Sequence, residues 1–210
     1  MSKVLYLQCS PRLERSHSIA VADAFVDEYR KANPADEVIV ENIFAMNLPS
    51  FDSVEVNAKY TILHGQKHSA DEKRAWKSVE AVISEFKSAD KYVMAVPMWN
   101  FGIPYRLKQF FDIIIQPGYT FSFSPDKGYS GLVTGKPVFV AYARGGEYTA
   151  GTGREAFDLQ KKYVEMALGF IGFTDIYSVI VEPTLQGGPD AAKVKRKEAI
   201  AKAKEIVKNF

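Results

Sequence analysis

A single cysteine, Cys9, stands in 210 residues, so a disulfide scaffold is excluded. Cys9 closes an apolar run and reads as buried packing rather than a nucleophile. Histidine is nearly as scarce, with only His17, His64 and His68. His64 and His68 share i, i+4 spacing, but no glutamate follows His64 as an HExxH zinc site requires. They read as a surface pair, and no metal is expected. An excess of one charge is also missing. Lys and Arg number 27 against 25 Asp and Glu, a net charge of +2, so nothing demands a nucleic acid or an anionic membrane. No segment approaches 18 uninterrupted apolar residues, so no helix is expected to span a membrane. The stretch MSKVLYLQCS has no long apolar core followed by a small-residue cleavage site. A reducing, cytoplasmic setting is expected.

What is present alternates. Lys3–Gln8, Glu37–Asn42, Lys91–Val96, Pro137–Ala143 and Asp175–Val181 are short runs rich in Val, Ile, Leu and Tyr, and read as strands. Between and after them, Ser18–Lys31, the segment capped by Ser69 and Glu72, Pro104–Ile115, Glu155–Phe170 and Ala191–Asn209 carry helical spacing. Near-solid apolar strands alternating with helices imply a parallel sheet covered on both faces, and right-handed crossovers make it doubly wound. With no repeat and no Gly/Ser linker, one domain over 1–210 is expected. Two long connections, Ile43–Gln66 and Gln116–Lys136, are not explained by a core, and loops of that length are often functional. The cations Lys193, Lys195, Arg196, Lys197, Lys202, Lys204 and Lys208 are interrupted by Glu198 and Glu205 and read as a solvated helix face.

In such a sheet, ligands bind beyond the carboxyl ends of the strands, where strand order reverses. The loops after strands one, three and four therefore matter most: CSPRLERSHS, PMWNFGIP and ARGGEYTAGTG. The first enters a helix, whose free N–H groups suit phosphate, with Ser10, Ser16 and Ser18 as added donors; capping by Ser16 or Ser18 is the plainer reading. The second sets the faces of Trp99 and Phe101 beside Asn100, which can both donate and accept as a heteroaromatic edge requires. An aromatic plug over the core is its plainer reading. In the third, Gly145 and Gly146 permit close backbone approach or a simple tight turn.

The stretch VPMWNFGIPYRLKQFFD, Val96 to Asp112, resembles the signature of the FMN-dependent NADH:quinone oxidoreductases, or azoreductases, of the flavodoxin-like superfamily. Three further stretches resemble that family in the same order: SPR with Ser16-His17-Ser18, YTFSFSPDKGYSGLVTGKPVFVAYARGG and LGFIGFTDIYSVIVEP. The resemblance implies a flavodoxin-like, doubly wound five-stranded parallel sheet with helices on both faces. It implies that Ser10, Ser16, His17 and Ser18 hold the phosphate and ribityl chain of FMN. Met98, Trp99, Asn100 and Phe101 would line the ring, and Ala143, Arg144, Gly145 and Gly146 its pyrimidine side. The family often has tyrosine in place of Trp99 and serine in place of Ala143. Tyr119 and Phe123 are candidate pocket walls. It further implies ping-pong hydride transfer from NADH to FMN, then two-electron reduction of quinones and reductive cleavage of aromatic azo bonds, in a homodimer. The flavin carries that chemistry, so no catalytic side chain is expected.

Two other motifs fail on spacing. Gly131 to Pro137 is one residue short of a P-loop and has proline where Ser or Thr should meet magnesium. Gly151 to Ala156 imitates a dinucleotide fingerprint but has too little sheet after it. The competing functions are a flavodoxin-type electron carrier that does not oxidise NADH, and a binding protein with an empty site. Such carriers are usually acidic, unlike this chain.

Overall fold

A computed structural model describes residues 1–210 throughout. Seven strands and six α-helices follow in the order β1 (Lys3–Gln8), α1 (His17–Ala32), β2 (Glu37–Asn42), α2 (Ser53–Leu63), α3 (Ala70–Ser88), β3 (Lys91–Pro97), α4 (Tyr105–Ile114), β4 (Phe121–Ser124), β5 (Gly128–Gly131), β6 (Val138–Ala143), α5 (Lys161–Ile171), β7 (Ile176–Val181) and α6 (Gly188–Ile206). Five strands form one sheet in the order β2-β1-β3-β6-β7, every pair parallel. The expected strands and their doubly wound order are thus present.

Strand periodicity divides the interior into two layers. Leu5, Leu7, Tyr92, Met94, Val96, Val138, Val140 and Tyr142 face α3, α4 and α5, meeting Trp76, Phe86, Phe110, Phe111 and Leu168. Val4, Tyr6, Val93, Ala95, Phe139 and Ala141 face α1 and α6, meeting Ile19, Phe25, Val26, Ala199 and Ala203. Phe25 stacks on Phe139 with ring centroids 4.0 Å apart, and Phe210 closes on its edge at 5.0 Å. Cys9 is fully buried, and desolvation raises its thiol pKa far above the ordinary range.

Both unexplained connections hold structure. Ile43–Gln66 contains α2, started by a capping box between Asp52 and Glu55. Its Val54, Val56, Ala58, Tyr60 and Ile62 recur every second residue, so the apolar pattern has no helical period. Gln116–Lys136 contains the antiparallel pair β4 and β5. The helix expected over Glu155–Phe170 is broken: a short 3-10 turn spans Glu155–Phe157, and α5 starts only at Lys161. Asp158 breaks it, because its Oδ1 accepts from the N–H groups of Gln160 and Lys161 at 3.2 and 2.9 Å and caps α5 from outside. His64 and His68 share no helix. His64 ends α2, and His68 lies beyond it with Nε2 2.9 Å from the Ala58 carbonyl.

Phe25→Ala removes a fully buried ring from the α1 layer. The expected loss is about 3–5 kcal/mol in urea unfolding, with the helical signal before the transition unchanged.

A cleft at the strand ends as candidate active site

The chain leaves β1 for β2 on one side and returns to β3 on the other, so the sheet order reverses between β1 and β3. The N–H of Cys9 still donates to the Ala95 carbonyl at 3.0 Å, and just beyond it the two connections part. A cleft of about 400 Å³ opens there, a size usual for a small-molecule site. Ser10, Ser16, His17, Met98, Trp99, Ala143 and Gly145 all line it.

The α1 end supplies its floor. Ser16 caps α1, with Oγ accepting from the Ile19 N–H at 3.4 Å and 3.1 Å from Ser18 Oγ. The capping reading is therefore correct for Ser16. The N–H groups of His17 and Ser18 find no acceptor within the chain, as expected for the first turn of a helix. His17 Nδ1 is buried and also unpartnered. Burial, then Arg196, then Arg12 hold the His17 imidazole below its ordinary pKa of 6.5.

The β3 loop forms a tight turn in which the N–H of Trp99 donates to Gly102 O at 3.1 Å and the N–H of Gly102 returns to Trp99 O at 2.9 Å. Its central residues, Asn100 and Phe101, have φ of 47° and 69°. Left-handed backbone at two non-glycine residues costs about 1–3 kcal/mol each and concentrates at functional sites. Trp99 is propped by Phe44 and Tyr105, with ring centroids 5.8 and 6.3 Å away. Asn100 and Phe101 project past the cleft, and Asn100 lines the neighbouring hollow beyond Trp99.

The β6 loop is held from below. The Arg144 side chain is fully buried and turns away from the cleft. Its Nη2 donates to Asp158 Oδ2 at 2.7 Å, Nη1 to Glu182 Oε2 at 3.4 Å and Nε to Gln160 Oε1 at 2.9 Å. Gln160 in turn donates to the Val96 carbonyl at 2.9 Å, which ties β6 to β3. The Arg144 carbonyl accepts from the Thr184 N–H and hydroxyl at 2.8 and 2.9 Å. With the loop fixed in this way, the N–H groups of Gly145 and Gly146 find no acceptor within the chain. Leu185 approaches Gly145 so closely that a Cβ there would lie 2.9 Å from its Cδ1.

Unpaired N–H groups, serine hydroxyls and an orphaned imidazole at one end, and apolar walls with free backbone donors at the other, fit a planar ring bearing a phosphate. A model of the flavodoxin-like fold matches residues 2–207. The FMN-dependent NADH:quinone oxidoreductase of Nitratidesulfovibrio vulgaris strain DP4 is 57% identical over 210 residues, covering 100% of both chains. This chain belongs to that family. The enzyme of the same name from Desulfotalea psychrophila is 47% identical over 209 residues, with 98% of each chain covered. Among solved structures, an azoreductase from Bacillus anthracis str. Sterne superposes with a TM-score of 0.90 at 29% identity, over 100% of both chains. An FMN-dependent NADH-azoreductase from Bacillus anthracis str. Ames Ancestor, solved in complex with FMN, gives 0.84 at 26% identity, over 99% of this chain and 100% of that one.

Within this family fold, not every expected residue reaches the cleft. Ser18 is fully buried behind Ser16, and Gly146 faces the Tyr148 ring. Tyr119 lies elsewhere: its hydroxyl donates to Glu80 at 2.5 Å and accepts from Trp76 Nε1 at 3.3 Å. Phe123 stands exposed on the β4–β5 hairpin against Tyr129. Conversely, Arg12, Thr184, Leu185, Pro189, Lys193 and Arg196 line the cleft without having been singled out for it. The basic stretch is not wholly a solvated face, because Lys193 and Arg196 sit at this site. The missing signal was the fifth strand. It ends at the same edge, so the loop after it and the start of α6 belong to the site as well.

Arg144→Met would leave the Asp158 and Glu182 carboxylates buried without their cation. A loss of about 3–5 kcal/mol in denaturant unfolding is expected, well beyond that of a surface arginine.

Proposed function

We propose that the protein is an FMN-dependent NADH:quinone oxidoreductase that also cleaves aromatic azo bonds by reduction. The observation that carries this reading is the cleft where the loops after β1, β3 and β6 meet, in a chain 57% identical to a relative of that name. FMN, when bound, accepts two electrons from NADH and releases two to a quinone. An azo bond needs two such rounds, four electrons and four protons, to give two amines.

The chain's own residues bind and orient. Ser10 and Ser16 offer hydroxyls, and His17 its backbone N–H, to the phosphate, while Ser18 supports Ser16 from behind. Met98 and Trp99 form an apolar wall for the ring and keep water from one side of it, while Asn100 and Phe101 make the tight turn that holds Trp99 there. Ala143 and Gly145 meet the pyrimidine edge through their backbone, and the Gly145 N–H favours negative charge there. Arg144 contributes by position, since its side chain is occupied below.

Residues 1–210 act as one cytoplasmic domain that pairs with a second copy. Phe101, Phe157, Leu159 and Leu185 are exposed near the cleft mouth, and such grouped apolar surface is usual at an interface. No helix is long and apolar enough to cross a membrane.

Reconstitution tests the function. The FMN-loaded chain should bleach on mixing with NADH, recover on adding a quinone, and consume two NADH per azo bond cleaved. A flavin that binds but bleaches only far more slowly than turnover would favour an electron carrier instead. Sedimentation should give twice the 23.5 kDa chain mass. A monomer at micromolar concentration would refute the pairing.

A further inference from the structure

Three cations line the cleft together with Ser10, Ser16 and His17: Arg12 from the β1 loop, and Lys193 and Arg196 from α6. Lys193 pairs with Asp190 on its own helix at 3.0 Å, in an exposed contact worth little. Arg12 and Arg196 are different. Neither has a carboxylate within 4.0 Å, although most ion pairs elsewhere on the surface join neighbours one turn apart. Two guanidiniums facing one cleft without a counter-charge repel each other, and both act on the same imidazole, that of His17. The His17 Nδ1 is buried and unpartnered.

Serine hydroxyls and backbone N–H groups satisfy phosphate oxygens but carry no net charge to balance them. A phosphate monoester brings about −1.5 to −2 charges at neutral pH. Guanidinium is the side chain best matched to it, through paired N–H donors in a fixed plane. We propose that Arg12 and Arg196, with Lys193 beside them, form a cationic clamp across the phosphate of the bound flavin. Through it, α6 makes the site select phosphorylated over unphosphorylated flavin. This rests on the flavin reading above. It assigns the charge recognition to the last helix of the fold, which is far in sequence from the serine loop.

Equilibrium fluorescence titration of the deflavinated full chain tests it, with FMN and riboflavin as paired probes. Arg196→Gln should weaken FMN about tenfold, and the Arg12→Gln/Arg196→Gln pair further, while riboflavin changes less than about twofold. In the wild type, raising NaCl from about 0.05 to about 0.5 M should weaken FMN several-fold and leave riboflavin nearly unchanged. That second measurement needs no variant to fold. Equal loosening of both flavins, or no change in either, overturns the clamp while leaving the flavin site standing. Failure of the wild type to bind either flavin overturns both.

Discussion

All five strands of the main sheet point the same way, so all five release their following loops at one edge. A parallel sheet has no alternative, and everything functional in this chain follows from that geometry. Where β1 parts from β3, loops separated by nearly the whole length of the chain come within reach of one small molecule. The burial of both sheet faces keeps the strand ends in register. The layer under α1 and α6 and the layer under α3, α4 and α5 each fix alternate residues of the same strands.

The two arginine environments at this edge differ in kind. Arg144 is buried with two carboxylates and a glutamine, and its charge is consumed in holding the β6 loop, the β7 loop and the start of α5 together. Arg12 and Arg196 face the cleft with no acid beside them. A paired buried cation shapes the backbone, whereas unpaired cations at a cleft await an anion. The same residue type therefore serves rigidity in one place and recognition in the other. The left-handed turn at Asn100 and Phe101 belongs with the first group, as backbone held in a costly shape by what surrounds it.

Much of the fold was legible because buried parallel strands leave an unmistakable apolar record, and Ser69 with Glu72 announces α3. What escaped was less regular. α2 has apolar residues at every second position, and no local pattern separates it from a strand. The break before α5 depends on Asp158, whose capping role is set by a guanidinium 14 residues away. Seven of the site residues expected from the loops line the cleft together. Tyr119 does not, because its aromatic run turns back onto Trp76 and Glu80.

By itself the sequence determined the order of strands and helices, the two-faced sheet, and the loops after β1, β3 and β6 as the place to look. Period and composition are local properties, and a single chain displays them openly. Tertiary structure alone decided which way Arg144 points, and that the basic start of α6 meets the serine loop across the cleft. Those outcomes depend on pairings between residues far apart in the chain, and no spacing along it encodes which distant partner a side chain will find.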